Sequence, residues 1–451
     1  MPRPLQFSAF VMNTTSHITH GAWRLPEARQ TDFNALDLWV SLARELERGK
    51  FDFIFFADVV GLYGDHRSSW EKYVESGLQI PSNDPSVIAS AIAHATSELG
   101  IAITSSVLQE HPFNFARKIS TLDHASRGRI AWNIVTSLSP NAWRNFGYAD
   151  ITPHEERYAW ADEYVDVVYK LWEGSWDDGA LPQDRASGVH GDFSRIHKIH
   201  HEGARYRVEG PHLVAPSPQR TPLLFQAGSS PTGRRFAARN AEAQFIQSPS
   251  PADAKALVDD TRRLVAEAGR RAGDLRFFQG LSFVIGSTEA EARLRADELD
   301  EYIDDDAIIA HAAGGIGVDL GHYDLDTPIG DIESEGSRSH LLWLREAVPD
   351  REPTVRDLAR LRTRNSRVVG TPEQIADRLD EWRAAGVDGI NVMNYTIPGS
   401  YLEFIEHVTP VLRDRGLAQW EYAPGTTRRK ITGADLLDEH HPAAAYRGAF
   451  S

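Results

Sequence analysis

The chain alternates short apolar runs with segments in which apolar residues recur every three or four positions. LQFSAFV at 5–11, FDFIFFAD at 51–58, LGIAITSSV at 99–107, RIAWNIVTS at 129–137, PLLFQAG at 222–228, AQFIQS at 243–248, FFQGLSFVIG at 277–286 and GINVMN at 389–394 have the length of buried strands. Helical periodicity follows each, at 35–49, 85–97, 113–126, from about 153, and at 232–240, 252–268, 289–302 and 401–415. In the first of these helices Leu36, Trp39, Ala43 and Leu46 share a face and Gly49 ends it. Strands alternating with helices predict a parallel sheet. Eight such units suit a closed TIM (β/α)8 barrel of the α/β class better than an open doubly wound sheet, which would split 451 residues into two domains.

Three stretches break the rhythm, at about 59–84, 173–220 and 304–366. The second contains HKIHHEGARYRVEG, which reads as a hairpin. Each lies after a strand or between units, where barrel enzymes carry substrate loops. The polar tail 417–451 is expected to wrap the surface or a neighbouring subunit. The predicted organisation is therefore one barrel domain spanning 1–451, with these insertions and this tail.

Composition narrows the partners. With 64 acidic against 48 basic residues, a net charge of −16 spread along the chain disfavours nucleic acid and anionic membrane and points to a small molecule. Zero cysteines exclude disulfides, thiolate metal sites and a cysteine nucleophile, so redox chemistry would need an external cofactor. No signal-peptide core or run of eighteen apolar residues is present, and a cytoplasmic protein is the expectation.

Candidate chemistry gathers at two helix starts. In PLLFQAGSSPTGRR (222–235), Gly228 lets backbone approach a ligand, Ser230 can cap a helix, and Pro231 suits its first position. Such a start is either an anion site or an ordinary capped turn. Upstream, Thr152 is expected to cap a helix with Pro153 first and Glu155 completing a capping box. Tyr158, Ala161, Val165, Val168 and Trp172 then form a buried stripe, and His154 projects beside Tyr158. A phenol and an imidazole there suit a phosphate ester; Tyr158 as the top of the core stripe is the alternative.

Polar groups at strand ends point to the same mouth. Asp58 closes an apolar strand, Thr104, Ser105 and Ser106 end the third, and Asn133 interrupts the fourth between Trp132 and Ile134. A buried amide must find partners, either a planar heterocycle or a cross-strand bond. His17 and His20 follow the first strand; no third ligand at metal spacing stands near, so a general acid or substrate contact is the expectation and a metal site is not. Phe10, Phe55 and Phe245 near strand ends are expected either to line an apolar cavity or to pack in the core.

Several strings together resemble one family: HGAWR at 20–24, LERGKFDFIFFAD at 46–58, ARKISTLDHASRGRIAWNIVTS at 116–137, NFG at 145–147, RYAWADEY at 157–164, LLFQAGSSPTGRRFAA at 223–238, DTPI at 326–329, GTPEQIAD at 370–377 and PGSYLEF at 398–404. They resemble the bacterial-luciferase-like flavin monooxygenases, in the branch with nitrilotriacetate monooxygenase, pristinamycin IIA synthase and dibenzothiophene-sulfone monooxygenase. The resemblance implies a TIM barrel that binds reduced FMN (FMNH2), delivered by a separate NAD(P)H-dependent flavin reductase, and uses O2. It implies FMN contacts from Asp58, Thr104, Asn133, His154, Tyr158, Ser229 and Ser230, and a homodimer or homotetramer. His17, His20 and Asn133 are then the candidates nearest the chemistry, and His311 joins Phe10, Phe55 and Phe245 as a substrate-pocket residue.

Where sulfone-oxidising members carry a histidine ahead of DTPI, this chain aligns Gly315, leaving His311 and His322 out of register. The insertion at 59–84 offers Arg67 and Lys72 but no dense basic set for an aminopolycarboxylate. The expectation is a monooxygenase acting on a small apolar or heteroaromatic compound beside sulfur or nitrogen, with C–S or C–N cleavage. A deazaflavin-dependent dehydrogenase of the same superfamily and a non-catalytic flavin-binding protein are the alternatives.

Overall fold

Among the described residues eleven strands form in chain order: β1 (Gln6–Met12), β2 (Phe53–Ala57), β3 (Gly100–Ser106), β4 (Ile130–Val135), β5 (His201–Glu202), β6 (Arg207–Val208), β7 (Leu223–Gln226), β8 (Ala243–Ile246), β9 (Arg276–Ile285), β10 (Arg367–Gly370) and β11 (Gly389–Met393). They are seen in a computed structural model that describes residues 3–316, 319–332, 348 and 350–451. Eight of the strands close a parallel barrel in the order β9-β11-β1-β2-β3-β4-β7-β8, with β8 pairing back onto β9. These are the eight apolar runs expected from the sequence. The fold is a TIM barrel.

Period-two alternation divides each strand between two cores. Phe10, Phe53, Phe55, Ala102, Ala131, Leu223, Phe225, Ala243, Phe278 and Met393 fill the barrel. The intervening residues pack outward against helices, as Ile54, Phe56, Ile101, Ile103 and Trp132 do. The helix Leu36–Arg48 buries Leu38, Trp39, Leu42, Ala43 and Leu46, whereas Leu36, expected on that face, stands at the first helical position and is 49% exposed.

Other expectations are corrected by tertiary context. β10 lies outside the barrel, paired with the distal half of the ten-residue β9, and leads through the helix Pro372–Ala384 to β11; this additional strand–helix unit was not predicted. The stretch expected as a loop insertion at 304–366 carries the helices Asp305–Ile316 and Val355–Arg364; residues 317–318, 333–347 and 349 of it lie outside the described residues. The predicted hairpin is present as β5 paired antiparallel with β6.

The tail does not simply wrap the surface. It crosses the barrel's N-terminal end, where Leu417 O accepts from Leu5 N, Tyr422 Oη donates to Phe51 O, and Thr427 N donates to Gly128 O. There Ile431 enters the inner barrel core, and Arg428, fully buried, pairs with Glu242 at 2.7 Å. The floor is closed by sequence-distant residues, which leaves the opposite end as the open mouth.

Candidate active site

Two helix starts meet at the mouth. Ser230 caps the helix Pro231–Asn240 by accepting from Gly233 N at 3.0 Å, as its sequence predicted. Thr152 does not cap the neighbouring helix His154–Tyr169: Pro153 is the N-cap residue, with no side-chain cap. Glu155, expected to complete that capping box, reaches the other helix instead, as does its neighbour His154. Glu155 accepts from the Thr232 hydroxyl at 2.7 Å, and His154 Nε2 lies 3.2 Å from Ser230 Oγ. Tyr158 receives a 3.4 Å hydrogen bond from Gln226 Nε2, and its ring lies 5.1 Å from that of His154. Ser229 stands exposed on the loop beside them.

Gly228 makes this approach sterically feasible. A Cβ there would meet Tyr158 Oη at 2.4 Å and Gln226 Nε2 at 2.5 Å. The two N-termini thus converge on one point, rimmed by an imidazole, a phenol and two serines.

From this point a trough runs across the mouth as three connected hollows. The first, about 240 Å³, is lined by Asp58, Ser137, Leu138, Tyr158, Gln226 and Gly228 among others. A second, about 250 Å³, is lined by Phe10, Met12, His17, Ile18, Phe245 and His311 among others. The third, about 410 Å³, runs along Asn141, Asn145 and Asp84. Val59 and Tyr63 line all three. Among the described residues no Lys or Arg lines any of them. Lys72 pairs with Asp304 at 2.9 Å and Arg67 with Asp306 at 3.6 Å, so these basic residues of the insertion at 59–84 are spent elsewhere.

Burial sets the charges. Desolvation, with the charge of Asp84 adding to it, pushes the Asp58 carboxyl up to about 7, although Gln109 donates to it at 3.4 Å. The His17 imidazole, which packs on Phe10 with ring centres 4.9 Å apart, is lowered to about 3 by burial alone and is neutral. Burial also raises the Tyr158 phenol.

Of the two readings of Asn133, the cross-strand bond is the one seen. Its Nδ2 donates across strands to Thr104 Oγ1 at 2.9 Å, while its Oδ1 is buried without a partner. Gln226 Oε1 is likewise unpartnered. Gln226 lines the first hollow, whereas Asn133 lines none of the three; an orphaned acceptor such as Gln226 Oε1 suits a ligand carrying N–H groups. A flavin ring carries such groups, and its phosphate suits the paired helix starts, so the residues present fit that cofactor.

The other predicted residues divide. Phe10 and Phe245 line the second hollow, 4.9 Å apart by ring centre. Phe55 does not: it is fully buried one layer deeper, against Phe225, because its place mid-strand points it into the barrel core below the mouth. His20 is buried behind the trough rather than on it. His311 reaches the trough from the helix Asp305–Ile316, the helix that also carries Gly315, whereas His322 lies outside it, 2.9 Å from Ser68 Oγ. The reading from sequence missed Tyr63, Gln79 and Gln226. Gln226 carried the signal used for Asp58, a polar residue ending an apolar strand; the other two lie in an insertion with no local pattern.

A closed barrel whose open mouth joins two converging helix starts to a trough has the architecture of a barrel enzyme. The chain belongs to the luciferase-like monooxygenase family, whose model matches residues 7–389. It is 41% identical to the long-chain alkane monooxygenase of Geobacillus thermodenitrificans, covering 100% of both chains. It is 40% identical to the dimethyl-sulfide monooxygenase of Hyphomicrobium sulfonivorans, over 100% of this chain and 95% of that protein. It is 36% identical to the dibenzothiophene-sulfone monooxygenase of Rhodococcus erythropolis, over 91% and 92%. Among solved structures, DmoA from Hyphomicrobium sulfonivorans superposes with a TM-score of 0.93 at 40% identity, over 99% of this chain and 97% of that one. A riboflavin lyase holding modified FMN and riboflavin superposes at 0.90 and 35%, over 99% and 100%. The chain is a flavin-dependent monooxygenase. Among the described residues no helix is long and apolar enough to cross a membrane.

Proposed function

We propose that the chain is the oxygenating component of a two-component system, using FMNH2 from a separate NAD(P)H-dependent reductase and O2 to oxygenate a small, uncharged, sulfur- or nitrogen-bearing organic substrate, with C–S or C–N cleavage. The observation that carries this reading is the trough itself: the paired helix starts lead toward a hollow in which Phe10, Met12, Ile18, Phe245 and Ile308 stand beside uncharged Gln79, Gln247 and Ser366, with no Lys or Arg among its described lining residues. A relative from Aminobacter aminovorans, 31% identical, is named component A of nitrilotriacetate monooxygenase, which supports a separate reductase.

When bound, reduced flavin supplies the two electrons that let O2 give one oxygen atom to substrate and the other to water. His154, Tyr158, Ser229, Ser230 and the helix N–H groups would hold the phosphate. Asp58, Thr104 and Asn133 would hold the ring system. Phe10, Met12 and Phe245 would exclude water and place an apolar substrate, while His17, held neutral by burial, adds no charge.

The test is oxygen uptake with chemically reduced FMN and no reductase, across alkyl sulfides, sulfones, alkanes, amines and polycarboxylates. Substrate-dependent uptake is expected with neutral apolar compounds and not with polycarboxylates; uptake confined to polycarboxylates, or absent throughout, overturns the reading.

A further inference from the structure

A glycine in the middle of a strand weakens it, so Gly280, the fifth of the ten residues of β9, calls for a reason. Its backbone is ordinary strand, in register with Asn391 of β11 and outside the left-handed region, so conformation does not require a glycine. What the glycine supplies is space. Alternation along β9 sends Phe277, Leu281 and Phe283 outward to the helices and Phe278 into the barrel, so position 280 faces inward, one step nearer the mouth than Phe278. A Cβ there would fall 2.8 Å from Cε2 and 3.1 Å from Cζ of Phe245, and 3.4 Å from Met393 Sδ. The tip of the Phe245 ring therefore takes up the room that a side chain at 280 would need.

Phe245 is also a wall of the second hollow. Its ring packs on Phe10 at 4.9 Å between centres, and Phe10 is braced in turn by Phe55, 5.4 Å away, which is fully buried against Phe225. A ring displaced from β9 thus finds Phe10 backed by a filled core. The hollow of about 250 Å³ is the side with room.

We propose that Gly280 is a specificity-determining residue for the monooxygenase reaction: by carrying no side chain it seats the Phe245 ring against β9, and this sets the size of apolar substrate that the second hollow admits. The inference rests on the proposed use of that hollow. With a methyl at 280 the ring must retreat until its carbons stand about 3.5–4.0 Å away, and the space is taken from the substrate. The test is Gly280→Ala, read in two ways. In the crystal structure of the full-length variant the Phe245 ring is expected to have moved toward the hollow; a ring that stays in place while β9 or Met393 gives way overturns the proposal. With reduced FMN and O2, kcat/KM across alkyl methyl sulfides of increasing chain length is expected to fall about tenfold or more for the longest compounds the unaltered protein accepts, and less than about threefold for the shortest. An equal loss along the whole series overturns the proposal, since a merely structural change does not sort substrates by length. Gly280→Ala with Phe245→Leu, which removes the ring tip that the methyl meets, is expected to fold even where the single variant does not, and to take the longer compounds again; continued rejection of them refutes the role given to Phe245. Absence of oxygenation of any sulfide by the unaltered protein would instead count against the proposed function, leaving the position of the ring to decide this point.

Discussion

Asp58 ends an apolar strand, and its burial has a measurable cost. The native carboxyl keeps its proton up to about 7, whereas the unfolded chain releases it near 3.8. Between those values the native state binds more protons, so this contribution to stability declines as pH rises and is fully lost above about 7. Asp58→Asn escapes that decline. Its stability relative to the unaltered protein is expected to climb from pH 4 to pH 7 and then level, by about 1.4 kcal/mol per pH unit at most, as thermal melts across that range would register. At the phosphate end, removing hydroxyls is the matching change: Ser229→Ala with Tyr158→Phe is expected to weaken FMN binding by about 1.5–3 kcal/mol per lost bond to a charged group, with Tm little changed. A flavin titration that returns the original affinity would count against the assignment.

At the scale of elements, the site depends on two helix starts being brought together. Gly228→Ala places a methyl 2.4 Å from Tyr158 Oη and 2.5 Å from Gln226 Nε2, so both polar tips must move away from the positions they hold at the paired helix starts. Flavin affinity is expected to fall by about tenfold or more, while far-ultraviolet circular dichroism stays unchanged, since Gly228 lies outside any helix or strand. Each element was legible on its own: the apolar run of β7, the Ser230 cap and the stripe from Tyr158 to Trp172 are all as predicted. What local reading could not supply was the use of Glu155. Sequence grammar gives it to its own helix's first turn, and the neighbouring helix, 77 residues away, takes it.

For the molecule as a whole, the tail is what closes the floor. Arg428 donates to Glu242, Gln219 O and Pro222 O, joining the tail to the starts of β7 and β8. Arg428→Ala would leave Glu242 buried without its counter-charge and is expected to lower stability by about 3–5 kcal/mol, read from urea unfolding. Polar composition alone argued for a surface course, because a buried arginine announces itself only through partners about two hundred residues earlier.

The amino-acid sequence by itself determined the eight-unit rhythm, the helix that opens at Pro231 and the polar residues at strand ends, because these rest on periodicity and on local backbone preference. The trough, the depth of Phe55, the union of the two helix starts and the burial of His20 behind His311 were decided only in three dimensions. Closing the barrel sets which strand end faces which, and no spacing along the chain encodes that distance.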